Sequence, residues 1–128
     1  MDAKDMVQCT LCRRGCLIPP GQVGFCRTRR NDHGQLRSIV YGRLAALESR
    51  PIEIKPFFHF YPGSTALTYC CYSCNLRCQW CQNWHLSRTD PTRVQAEYVS
   101  PQDLVDMALR LGGRGLCCSF TEPTLLQE

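Results

Sequence analysis

The sequence predicts an α/β fold: a parallel pair of strands joined through a helix, preceded by a small cysteine-rich, β-hairpin-containing module. Three observations predict it. The N-terminal stretch carries the pattern Cys9-x2-Cys12-x3-Cys16-x9-Cys26, with Pro19-Pro20-Gly21 and Gly24 between the last two cysteines. Short apolar runs of strand type stand at residues 66–69 and 116–120, bounded by turn residues. Between them, Ser100-Pro101-Gln102-Asp103 opens a helix. A serine N-cap, a proline at the first helical position and an acidic first turn answer the free amides and the dipole of a helix start. A strand, a helix and a strand in that order imply a parallel pair, because a parallel connection needs a crossover. The chain divides at residues 1–34, a cysteine-rich metal-binding module; 35–65, a β-hairpin and extended linker; and 66–128, the β/α part.

Residues 1–8 read as a polar lead-in. In the first module Cys9, Cys12, Cys16 and Cys26 form a set for zinc or a second iron–sulfur cluster, and glycine and proline permit the turns that would fold four sulfurs around one ion. The alternative is a group of small buried residues under a loop-rich cap. A segment this short has little core of its own and gains from a metal staple. Asn31-Asp32-His33-Gly34 is a turn with a solvated His33, and residues 35–41 are of β type. A second extended stretch runs over residues 45–54 and ends at Pro56. The aromatic run Phe57-Phe58-His59-Phe60-Tyr61 is expected to pack, with His59 as a hydrogen-bonded core residue. In the helix, Leu104, Val105, Ala108, Leu109 and Leu111 make an apolar face, and Gly112-Gly113 stops it.

Composition narrows the function. A chain of 128 residues with 44% apolar and 20% charged residues is ordinary for one globular domain. Eleven cysteines would ordinarily indicate a secreted disulfide scaffold. The number is odd, Met1-Asp2-Ala3-Lys4-Asp5 lacks the basic and apolar pattern of a signal peptide, and the cysteines fall at metal-ligand spacings. No apolar run approaches the length of a membrane span. These features place the protein in the cytoplasm with reduced thiols and no membrane partner. The net charge is +4, and its densest basic group, Arg27, Arg29 and Arg30, reads as a solvated face. No aromatic residues interleave with it, so nucleic acid is not an expected partner.

The stretch with the most chemistry is Cys74-Asn75-Leu76-Arg77-Cys78-Gln79-Trp80-Cys81. It follows the strand at 66–69, so it lies at a strand C-terminal end. Soft thiolates hold zinc or iron–sulfur clusters. Three ligands crowded into a short loop resemble the loops around a cubane cluster rather than a paired zinc knuckle. With three ligands, Cys74, Cys78 and Cys81, one iron of a [4Fe–4S] cluster stays open to a substrate or cofactor. With Cys71 as a fourth, the site closes. On spacing alone an open cluster, a closed ferredoxin-like cluster and zinc all stand. Trp80 beside the last cysteine favours the open site, because an aromatic there would lie flat against a ligand on the open iron. His85 is expected at the surface.

C-x3-C-x-aromatic-C resembles the signature of the radical S-adenosylmethionine (SAM) superfamily, and CNLRCQWCQNW, residues 74–84, is similar to the branch of pyruvate formate-lyase activating enzymes. More of the chain resembles the AmmeMemoRadiSam-system radical SAM proteins. The matching stretches are CTLCRRGC at 9–16, GQVGFC at 21–26, Tyr41-Gly42-Arg43, Pro51-Ile52-Glu53, HFYPGS at 59–64 and Glu122-Pro123-Thr124. The resemblance implies that residues 66–128 are the first two β/α units of a radical SAM core, the N-terminal fragment of a partial (β/α)6 TIM-like barrel. A full eight-unit barrel takes about 250 residues, so the chain is expected to be a truncated piece.

The resemblance further implies a [4Fe–4S] cluster on Cys74, Cys78 and Cys81, with SAM on its open iron. Thr121-Glu122-Pro123 would be the counterpart of the segment that receives the SAM ammonium, although the family more often has Asn where Thr121 stands. Trp80 would line the cofactor, and no catalytic residue is assigned. The alternative for Glu122 is a first-turn helix acid. The implied activity is reductive cleavage of SAM to a 5′-deoxyadenosyl radical for hydrogen abstraction, as in an activating enzyme. A ferredoxin or flavodoxin reductant and a protein substrate are the implied partners. The rival functions are a non-catalytic iron–sulfur electron-transfer protein and a zinc-binding interaction module.

Overall fold

The computed structural model describes residues 5–128. The expected polar lead-in lies outside the described residues over 1–4, and its last two residues already pair as a strand. That strand, β1 (Val7–Gln8), lies antiparallel to β2 (Leu17–Ile18), Val7 opposite Ile18. β3 (Arg29–Asp32) and β4 (Gln35–Ser38) form a four-pair hairpin. Its two-residue turn, His33-Gly34, has positive φ at both positions, 50° and 83°, the conformation whose twist matches paired strands. Asn31 Oδ1 accepts the Gly34 amide at 2.9 Å and closes the turn. His33 is solvated as expected, 98% exposed. The hairpin spans residues 29–38 and so crosses the boundary drawn at residue 34.

β5 (Ala46–Pro51) runs antiparallel to β6 (Thr65–Cys70) over six residue pairs, Ala46 opposite Cys70 through Pro51 opposite Thr65. β7 (Gly115–Cys118) lies parallel to β6 on the other side, Ala66 opposite Gly115. The sheet order is β5-β6-β7. β6, the central strand, is buried at Ala66, Leu67, Thr68 and Cys70. A single helical turn, α1 (Trp84–Ser87), and the longer α2 (Pro101–Arg110) occupy the crossover from β6 to β7.

α2 begins as its sequence dictates. Ser100 Oγ accepts the Asp103 amide at 3.1 Å, and Asp103 Oδ2 accepts the Ser100 amide at 3.3 Å, a reciprocal capping box. Gly112, at φ +64°, follows its end. The buried face is narrower than expected: Leu104 and Ala108 pack on Leu67, with Met107 beside them, while Val105, Leu109 and Leu111 are exposed.

The expectation of a partial-barrel fragment is corrected. The described residues form two two-stranded sheets, one three-stranded mixed sheet and two helices, one of them a single turn. One β-α-β unit is present, but β5 pairs antiparallel along the whole of β6. The edge that a parallel barrel would use is thus taken by a strand of opposite direction, and the sheet is mixed. After β7 the chain enters a 3-10 turn, Pro123–Leu126.

Two further expectations change. The aromatic run is not buried: Phe57, Phe58, Phe60 and Tyr61 are all more than half exposed, and His59 is exposed with them. Rings of the run touch one another, as Phe60 and Tyr61 do at 4.7 Å between ring centroids. Arg29, read as part of a solvated face, is 2% exposed. A second apolar cluster, Cys26, Val40, Cys71 and Leu125, joins the N-terminal module to the end of the chain. No helix among the described residues is long and apolar enough to cross a membrane.

Candidate metal centre

β6 and β7 run in the same direction, so the segments that leave them meet at one end of the sheet. The segment after β6 reaches Cys74 through Ser73, which is buried, holds φ at 74° and donates its amide to Leu86 O at 3.0 Å. The segment after β7 reaches Phe120, at φ 69°, whose carbonyl accepts Asn83 Nδ2 at 3.2 Å. Between the two lies a cleft of about 200 Å³ lined by Cys74, Cys78, Cys81, Thr121 and Glu122, with Leu76, Ser87 and Phe120 completing it.

The three cysteines expected as cluster ligands therefore share a wall with two of the four residues expected to meet SAM, Thr121 and Glu122. Cys74 is buried, Cys81 half-buried and Cys78 exposed, and all eleven cysteines are free thiols. Cys74 Sγ accepts the Leu76 amide at 3.4 Å. Cys81 Sγ lies 3.3 Å from Ser87 Oγ. Among the described residues, no three Cys, His, Asp or Glu side chains converge closely enough to hold one ion. The thiols of the loop line a common cleft without meeting at a point.

Thr121 is 9% exposed, and its hydroxyl donates to Cys71 O at 3.1 Å. Glu122 Oε1 accepts the Thr124 amide at 3.3 Å and the Thr124 hydroxyl at 2.5 Å. It thereby caps the turn that Pro123 begins. Glu122 serves as a helix-start acid and as part of the cleft wall at once. Pro123 points outward and is exposed, and Trp80 is 85% exposed and does not line the cleft. His85 is exposed, as expected.

Cys71, the candidate fourth ligand, is fully buried in the second apolar cluster and does not line the cleft. Burial, then the neighbouring Cys70, pushes its thiol up to about 12. Burial likewise pushes Cys70 and Cys118 up to about 11. Burial in apolar surroundings disfavours the thiolate form of each.

The N-terminal set is divided. Cys9 and Cys16 are neighbours, the Cys9 amide donating to Cys16 O at 2.8 Å. Gly15, at φ +53°, donates its amide to Cys12 O at 3.2 Å and turns the loop between them. Cys26 packs instead in the apolar cluster with Cys71, its Sγ 3.1 Å from Thr28 Oγ1. Among the described residues, no three of the four expected ligands converge closely enough to hold one ion.

Sequence reasoning assigned no role to Ser87, Asn83 or Phe120. Ser87 carries no motif and reaches Cys81 only because α1 turns the chain back. Asn83 was visible only as a neighbour of the cysteine loop.

For a cluster, the donor chemistry fits. Three free thiols border one cleft, on a loop without regular secondary structure that can draw them together. A carboxylate and a hydroxyl stand on the facing segment.

Among curated proteins, the chain is 38% identical over 122 residues to "Uncharacterized protein MJ0808" of Methanocaldococcus jannaschii, an alignment covering 95% of this chain and 37% of that protein. The chain thus spans little more than a third of the length of the relative it matches. No protein-family model matches it, and no solved structure does.

Proposed function

We propose that this chain carries the iron–sulfur half of a radical SAM site, with Cys74, Cys78 and Cys81 as the ligands of a [4Fe–4S] cluster. The observation that carries the reading is the shared cleft: the three cysteines of the C-x3-C-x2-C loop border it together with Thr121 and Glu122 from the segment that follows the neighbouring parallel strand. The burial of Cys71 in the apolar core favours three ligands over four. A cluster held by Cys74, Cys78 and Cys81 with one iron left open would supply one-electron reductive cleavage of bound SAM.

The chain's own residues bind and orient. Cys74 anchors the loop because it is buried at the end of the β6 segment, while the exposed Cys78 and half-buried Cys81 lie on the part that can adjust. Ser87 can donate its hydroxyl to the Cys81 sulfur, and a hydrogen bond to a ligand sulfur stabilises its negative charge. Glu122 offers a carboxylate to the ammonium of an amino-acid cofactor, held in place by its bonds to Thr124. Thr121 is already engaged with Cys71 O, so it supports the wall rather than the cofactor. The partners proposed with this reading are a one-electron donor of ferredoxin or flavodoxin type and a protein substrate.

The test is anaerobic reconstitution with iron and sulfide, followed by electron paramagnetic resonance of the reduced protein with and without SAM. The expected result is a [4Fe–4S]⁺ signal whose shape changes when SAM is added. A protein that takes up zinc and no cluster would overturn the reading.

A further inference from the structure

The loop that carries Cys74, Cys78 and Cys81 is held from outside by arginines. Arg77 donates through one nitrogen to Cys74 O at 2.8 Å and Leu76 O at 2.9 Å. Arg88 donates to Cys78 O at 3.0 Å. Arg14, from the N-terminal module, donates to Asn75 O at 3.0 Å. Two of them also stack on Phe25, the Arg14 guanidinium carbon 3.5 Å and that of Arg77 4.4 Å from the centroid of its ring. Three cations therefore grip a stretch of five residues, two of them expected ligands.

Among the described residues, none of these three arginines forms an ion pair with a carboxylate. Nearby Arg27 does, with Asp90 at 3.0 Å. Gathering like charges without counter-ions costs energy. The cost is recovered where negative charge gathers among them. Three thiolates around a cluster supply that charge, and each added electron increases it.

We propose that Arg14, Arg77 and Arg88 are positioning residues that also compensate the charge of the cysteine loop, and so ease one-electron reduction of the group it holds. The inference rests on the cluster reading above. Local net charge and hydrogen bonding are among the factors that set the potential of an iron–sulfur group. Removing a cation from beside the loop disfavours the more negative, reduced state. Replacing it by lysine keeps the charge and loses the planar fork and the stacking.

The test is an anaerobic redox titration of the reconstituted protein at low salt, comparing Arg77→Gln and Arg88→Gln with Arg77→Lys and Arg88→Lys. At a fixed potential, the ratio of reduced to oxidised cluster is expected to fall about tenfold in each glutamine variant, equivalent to about 59 mV for one electron. The lysine variants should stay within about threefold of the unaltered protein, and added salt should narrow the difference as it screens exposed charges. Cluster uptake kept in the lysine variant but lost in the glutamine variant supports the same inference. Glutamine variants that titrate like the unaltered protein overturn it. So does an equal loss in glutamine and lysine variants, because lysine preserves the charge. If the unaltered protein assembles no cluster, the failure belongs to the cluster reading itself.

Discussion

Cys71 stands three residues before Cys74, at a spacing that would complete a four-cysteine site, yet its side chain is packed against Cys26, Val40 and Leu125. Its thiol is pushed up by burial, so ionising it inside that cluster is unfavourable. Cys78, by contrast, is exposed on the cleft. Two substitutions separate their roles. Cys71→Ala should retain the reconstituted iron and sulfide content and lower stability by roughly 1 kcal/mol, the order of one buried heavy atom lost from a packed core. Cys78→Ala should lose the cluster while melting near the temperature of the unaltered apo-protein. Iron and sulfide analysis with a thermal melt decides the matter, and cluster loss in Cys71→Ala would restore four-cysteine ligation. Spacing alone left Cys71 open as a ligand because a C-x2-C pair reads the same whether its first thiol faces a cleft or a core.

Helix α2 and the segment leading to it show how local chemistry and long-range contact divide the work. The capping box at Ser100 and Asp103 is written in four consecutive residues, and so was legible without a structure. Gly42 is different. At φ +67°, an added Cβ would stand 2.3 Å from Tyr98 Cε2 and 3.0 Å from Val99 O. The Val99 amide donates to Gly42 O at 2.8 Å, and Arg43 reaches Val94 O at 2.8 Å. The approach to α2 is thus sewn to residues 39–43, which no periodicity announces. Ser100→Ala should cost about 1 kcal/mol. Gly42→Ala should cost more than about 1 kcal/mol, because positive φ adds strain to the collision. Urea denaturation of both variants checks the order, and a Gly42→Ala protein as stable as the parent would show that the close approach is dispensable.

At the scale of the molecule, Arg29 ties the two ends of the described chain together. Its guanidinium donates to Thr28 O at 3.2 Å, Ser38 Oγ at 3.2 Å and Leu125 O at 3.3 Å, and pairs with Glu128. Glu128 is 42% exposed, so the ion pair itself contributes little. The carbonyl and hydroxyl partners matter more, since each is left unsatisfied when the donor is removed. Arg29→Met should therefore destabilise the protein by about 2–3 kcal/mol. It should also speed amide hydrogen exchange across residues 121–126, the turn that carries Thr121 and Glu122 at the cleft. A loss of stability without faster exchange there would separate the hairpin from the turn.

The sequence by itself determined the features encoded within a few residues: the three-cysteine loop, the capped start of α2, the His33-Gly34 turn and the parallel order of β6 and β7. Spacing and end signals suffice for these because the groups involved are chain neighbours or follow a fixed period. Only the tertiary structure decided that β5 takes the free edge of β6 in the opposite direction, which replaces the expected barrel segment with a mixed sheet. It alone buried Arg29 against Leu125, drew Cys26 and Cys71 into one core, and turned Phe57 to Tyr61 outward. Those outcomes depend on which distant surfaces meet, as when Arg29 finds a carbonyl 96 residues away. Residue type and local spacing carry no record of that meeting.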